Sequence, residues 1–126
     1  MSELKEVGLA LLSATMVPLN ADGQTTIYTV PTGKRCILSH ALLVLGADAG
    51  TSDLSIGQNG ATTDFLPVQN LDNLNAQYDV GLLMPVPSAT PALPQKSYAA
   101  GTVIEADVSN NAGGATNTLF LFGLLY

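Results

Sequence analysis

The side chains of this sequence best suited to chemistry crowd into one stretch. Residues 28–45, YTVPTGKRCILSHALLVL, hold the only histidine (His40), the only cysteine (Cys36) and two of the four basic residues, Lys34 and Arg35. A metal site needs several convergent imidazole and carboxylate ligands, and one histidine cannot supply that set. Nucleophilic catalysis by serine has no G-x-S-x-G elbow, and nothing constrains a partner serine for His40. His40 therefore reads as a packed or interface histidine, and Cys36 as a small buried hydrophobe. Glu105 and Asp107 stand two apart on one strand, a placement open to a glycosidase pair. Strand carboxylates at that spacing more often form an exposed polar face. Residues 48–53 (DAGTSD) and 70–75 (NLDNLN) carry oxygen ligands that hard cations accept. Neither has EF-hand spacing, and such loops normally cap turns through side-chain-to-backbone hydrogen bonds. Gly60, Gly113 and Gly114 are turn glycines with no helix after them to cradle a phosphate. No catalytic, cofactor-binding or metal-ligating residue is assigned, so the expectation is a protein that is not an enzyme and needs no cofactor.

The elements that must carry these residues read as strands. Asp22-Gly23 supplies a tight reversal. Residues 24–30 are rich in Thr, Ile, Tyr and Val, which fit a pleated, half-buried surface. Pro31-Thr32-Gly33 breaks that strand, and a long one follows over 34–45. Strict alternation puts Cys36, Leu38, His40, Leu42 and Val44 on one face. Ile37, Ser39, Ala41, Leu43 and Leu45 fall on the other, so both faces are expected to be covered. Residues 53–58 place Leu54 and Ile56 inward, and Asn59-Gly60 turns into a partner strand over 61–66. A polar connection over 67–76 precedes a strand over 77–86. Pro85, Pro87, Pro91 and Pro94 then predict an extended surface loop. Residues 102–108 alternate Thr102, Ile104, Ala106 and Val108 against Val103, Glu105 and Asp107. The chain closes on an apolar strand over 117–126, with Leu119, Leu121, Gly123 and Leu125 opposed to Phe120, Phe122, Leu124 and Tyr126.

At the other terminus, residues 7–17 (VGLALLSATMV) have the length of a signal-peptide core. The segment before them is acidic overall (Glu3, Glu6), and no small-x-small cleavage site precedes Pro18. The run is too short to span a bilayer. It reads as a first strand or a docked arm within residues 1–20, although Leu9, Leu12, Met16 and Leu19 would also suit one face of a helix. The whole predicts an all-β, single-domain β-sandwich or jelly roll over residues 1–126, with roughly seven to nine short strands. No internal repeat points to a propeller or solenoid.

Composition narrows the partners. Only 11% of the 126 residues are charged while 47% are hydrophobic, against about 25% charged in an average domain. Thr, Ser, Asn, Gln, Gly and Ala must clothe much of the surface, which suits a subunit buried against other subunits. The apolar C-terminal strand adds to that argument and predicts a homo-oligomer. A net charge of −6 argues against nucleic acid, whose phosphates call for clustered Lys and Arg. No membrane partner is indicated. A single cysteine excludes an intrachain disulfide.

Four segments carry a family resemblance: IYTVPTGKRCILSHALLV, DLSIGQNG, SYAAGTVIEADV and NTLFLFGLLY. Together they resemble small β-sandwich structural proteins of tailed bacteriophages, most closely the head decoration (cement) proteins, over most of residues 24–126. There a Y-T-V-P-x-G-K turn leads into a long framework strand, and an A-G-T strand precedes a final apolar one. The turn motif also occurs in phage tail-associated and baseplate proteins. The resemblance implies a virion structural protein, made in the bacterial host cytoplasm and carried on the capsid surface. Its partners would be the major capsid protein of the head and copies of itself, often as a trimer. The alternative is a tail-associated receptor- or carbohydrate-binding module. Such modules usually display aromatic side chains for sugar stacking, and this chain has no Trp. No interface residue follows from the resemblance.

Overall fold

The structure is a computed structural model and describes residues 9–85 and 96–126. Nine strands build two antiparallel sheets, with no helix among the described residues: β1 (Ala10–Met16), β2 (Gly23–Thr29), β3 (Cys36–Val44), β4 (Asp53–Gln58), β5 (Ala61–Asn70), β6 (Val80–Leu83), β7 (Ser97–Tyr98), β8 (Val103–Ser109) and β9 (Thr118–Leu125). One sheet runs β1-β9-β3-β6, with β7 also paired to β3; the other runs β2-β8-β4-β5. The first strands β1 and β2 thus pair with the last, β9 and β8. Strands β3 and β4 lie on the far flank of that pair, and β6 and β5 close the two edges. This nested order is the rolled double sheet of a jelly roll.

The apolar positions of both sheets meet between the layers. Leu38, Leu43, Leu45, Leu119 and Leu121 come from the five-stranded sheet and its ends; Leu54, Ile56, Leu66 and Ile104 come from the other. Each is fully withdrawn from water, worth about 1.5–3 kcal/mol per side chain. Val17 and Leu19, in the β1–β2 connection, close one end of the core. Asn117 is buried beside them with every polar atom engaged. Its Nδ2 donates to Val17 O (3.0 Å) and Gly114 O (2.9 Å), and its Oδ1 accepts from Gly46 N (3.2 Å).

The N-terminal run is a strand, β1, and not the helix that its leucine spacing also allowed; residues 1–8 of the expected arm lie outside those described. Strand β4 has the expected bounds, and β9 and β8 differ from expectation only at their ends. Three expectations need correction. Strict alternation along β3 fails at Ser39, where a bulge lies between Leu38 and His40 in the pairing with β9. One extra residue reverses the pleat, so Cys36 and Leu38 point inward, then Ala41, Leu43 and Leu45 do. Strand β5 continues through Pro67 to Asn70 instead of ending at Leu66. It is an edge strand, and its register against β4 slips by one residue between Leu66 and Gln69, which is where a proline without an N–H is tolerated. Strand β6 is shorter than residues 77–86, because Tyr78 turns at φ 72° just before it. The short β7 was not expected. The proline-rich loop falls mostly on residues 86–95, outside those described.

Candidate functional site

The bulge at Ser39 decides where His40 goes. It lies on the outer face of the five-stranded sheet with its ring stacked on Phe122, centroids 4.7 Å apart and planes 10° from parallel. Its Nδ1 is 3.0 Å from Ser39 Oγ. Among the described residues no carboxylate or thiol bonds to it.

That outer face can be followed row by row, since directly paired residues share a face. One row is Leu82, Leu42, Phe120 and Ala14; the next is Val80, Val44, Thr118 and Met16. His40, Phe122 and Leu11 form a third, and Ile37 with Leu124 a fourth. These rows contain no charged residue. Their central members are only partly covered, and the flanking ones stand open: Leu82 is 62% exposed, Met16 60% and Val80 53%. The expected covering of both faces of β3 is therefore corrected: the inner face is sealed and the outer one is not. A cleft of about 260 Å³ borders the face at β6, lined by Asn70, Leu71, Leu74, Val80 and Leu82 among others and by no titratable group.

The other sheet has the opposite exterior. Glu105 and Asp107 do share its outer face, but both are engaged. Asn59 Nδ2 donates to Glu105 (3.1 Å), and Thr62 Oγ1 donates to Asp107 (3.1 Å). Gln24 Nε2 also reaches Asp107, at 3.4 Å. They serve as cross-strand acceptors joining β2, β4, β5 and β8. The oxygen-rich loops cap turns: Gly50 N donates to Asp48 (2.8 Å) and Asp72 N to Asn70 (2.8 Å), while Asp53 accepts from Asn70 and Asn110. Among the described residues no three His, Cys, Asp or Glu side chains converge as a metal site would need. Nor is any helix there long and apolar enough to cross a membrane.

A dense polar cluster around β5 was not anticipated. Asp64 on β5 accepts from Gln58 N (3.1 Å), Gln58 Nε2 (2.7 Å), Tyr98 OH (2.9 Å) and Lys96 Nζ (2.9 Å). Burial works to raise its carboxyl, but the bonds from Lys96, Gln58 and Tyr98 outweigh it and hold the group below the usual carboxylate range. Tyr98 is pushed well above a free phenol by burial, then by its bond to Asp64. Because β7 pairs with β3, the cluster latches one sheet to the other. Cys36 lies opposite Tyr98 in that pairing, fully buried, with its thiol pushed up to about 11 by burial. These groups tie the scaffold together. The signal that points to the uncharged face was present in sequence, in the Phe120, Phe122 and Leu124 side of β9.

No protein-family model matches the sequence, and no curated protein matches it. In fold it is similar to a chain of the acidic stable capsid structure of Helicobacter pylori bacteriophage KHP30. That similarity has a TM-score of 0.58 at 12% identity and covers 92% of this chain and 86% of that one. The likeness is one of fold, and it extends nearly end to end over two chains of comparable length.

Proposed function

We propose that this protein is a non-enzymatic virion structural protein, a decoration or cement subunit that binds the outside of an assembled phage head and stabilises it. The observation that carries the reading is the end-to-end fold similarity to a chain of a phage capsid. The segments that resemble head decoration proteins support it independently. So does the placement of the reactive side chains, which are spent on holding strands together while a broad uncharged surface is left open.

The mechanism follows from state-selective binding. A docking surface for the subunit exists only where major capsid subunits meet, so the assembled shell binds it and free capsid protein does not. Each occupied site then stabilises the shell by mass action, about 2.7 kcal/mol at a concentration 100 times the dissociation constant. With 11% of residues charged, contacts are mainly apolar and hydrogen-bonded, and ion pairs contribute little. Raising salt from about 0.1 M to about 1 M shortens the Debye length from roughly 10 Å to roughly 3 Å, which dissolves charge-steered complexes but not this one.

The test is to add purified protein to undecorated, expanded capsids across that salt range and follow occupancy and heat resistance. Saturable binding that raises the capsid melting temperature and weakens only modestly with salt is expected. Absence of binding, or binding abolished by moderate salt, removes the decoration reading and moves the tail-associated module ahead of it.

A further inference from the structure

The apolar exterior of the five-stranded sheet is as broad as the largest apolar patches that monomers expose. It spans four strands, about 19 Å, and the outward residues of β9 run about 20 Å from Thr118 to Leu124 at normal strand spacings. Roughly 400 Å² in projection, with no charge inside it, matches the largest apolar patches on monomers, which mark interaction sites. We infer that this face is covered by the same face of a second copy of the chain.

Two observations select that occupant. The first is charge. A partner presenting Lys, Arg, Asp or Glu here would bury it against leucine, valine and phenylalanine side chains with no counter-charge, at a cost of several kcal/mol. An identical face brings only the Arg35 guanidinium at its rim, already held by Ser97 beside Ile37. The carboxylates Asp53, Glu105 and Asp107 belong to the other sheet, so a core layer about 10 Å thick separates them from the contact, and Asp64 is engaged on the inner side by Tyr98 and Lys96. The second is area. Two such faces laid together cover roughly 800 Å² in projection, and more in accessible surface because the open Leu82, Val80, Met84, Leu11 and Met16 side chains interdigitate. That approaches the roughly 1,000 Å² at which specific interfaces begin. Packing sheet on sheet reproduces between copies the contact that already forms the core within one copy. A patch that meets itself is isologous and closes at two copies, not the three that the family resemblance implies.

Sedimentation equilibrium on the whole chain tests this, with Leu82→Asp and Met16→Asp at opposite edges of the face and Thr26→Asp on the exterior of the other sheet. All three positions are exposed; Thr26→Asp also faces Glu105 across β2 and β8, so the folding of every variant is checked by circular dichroism. The wild type and Thr26→Asp are expected to be dimeric at tens of micromolar. The two face variants should dissociate about 10- to 100-fold more readily, the effect of burying an unpaired carboxylate. A monomeric wild type, a mass that is not an even multiple of the chain, or a dimer indifferent to both substitutions overturns the inference. Capsid binding by the same proteins separates this from the decoration reading. A substitution-sensitive dimer that ignores capsids sinks decoration and leaves the dimer standing; a monomer that binds capsids does the reverse.

Discussion

Replacing Asp64 tests whether the two sheets are latched by one carboxylate. In Asp64→Ala the Tyr98 hydroxyl, on a residue only 3% exposed, and the Gln58 amide lose their acceptor. Each unsatisfied group costs about 1–3 kcal/mol. Lys96 is half in solvent, so its ion pair adds less than about 1 kcal/mol. The expected loss is about 3 kcal/mol, on the order of 10 °C in Tm for a chain of this size. Asp64→Asn should cost only about 1 kcal/mol. Its carbonyl can still accept from Gln58 N and Tyr98 OH, which share Oδ1, while the Gln58 amide turns its own carbonyl to the new NH₂. Acid supplies the second axis. The folded carboxyl titrates below the free-chain value of about 3.9, so as pH falls the unfolded chain takes up the proton first. The stability this group supplies is complete above about pH 5 and is lost as pH falls through the folded value. Urea unfolding of the three proteins from neutral pH to about pH 3 measures both effects. An Asp64→Ala protein within about 0.5 kcal/mol of wild type, or a gap to Asp64→Asn that widens in acid, would refute the latch.

Cys36 should resist thiol reagents at neutral pH in the folded protein and react at the normal rate once unfolded, since its thiolate is suppressed and its sulfur buried; a timed thiol titration with and without denaturant checks this. Leu121→Ala, in the sealed centre of β9, should lose about 2–5 kcal/mol by calorimetry or urea melts through the cavity it leaves. Gly57→Ala should cost about 2 kcal/mol or more, because the added Cβ would lie 2.2 Å from the Ala61 carbonyl oxygen across the β4–β5 hairpin. Gly60→Ala in the same hairpin meets open space and should cost only the strain of φ +86°, about 1–2 kcal/mol; equal losses at the two glycines would contradict the close approach.

What the sequence alone determined was local. The β-rich composition and the period-two pattern placed β4 residue for residue, and they divided β8 and β9 into the two faces that the structure shows. The turns at Asp22-Gly23, Asn59-Gly60 and Gly101 followed from glycine's access to positive φ, seen at all three. Only the tertiary structure decided which strands are neighbours, and three outcomes followed from that. The bulge at Ser39 arises in the pairing of β3 with β9, strands joined by residues 45–117, so no short window of sequence contains its cause. Pro67 can stay in a strand because β5 ended up at an edge. Asp64 reads as one acidic residue in a polar run, and becomes a latch only when β7 returns to lay Lys96 and Tyr98 beside it. Alternation along a strand is set by each residue and its immediate neighbours, whereas register and sheet order are set by contacts far apart in sequence. That is why the two sides of β9 could be separated from its letters, while the destination of His40 could not.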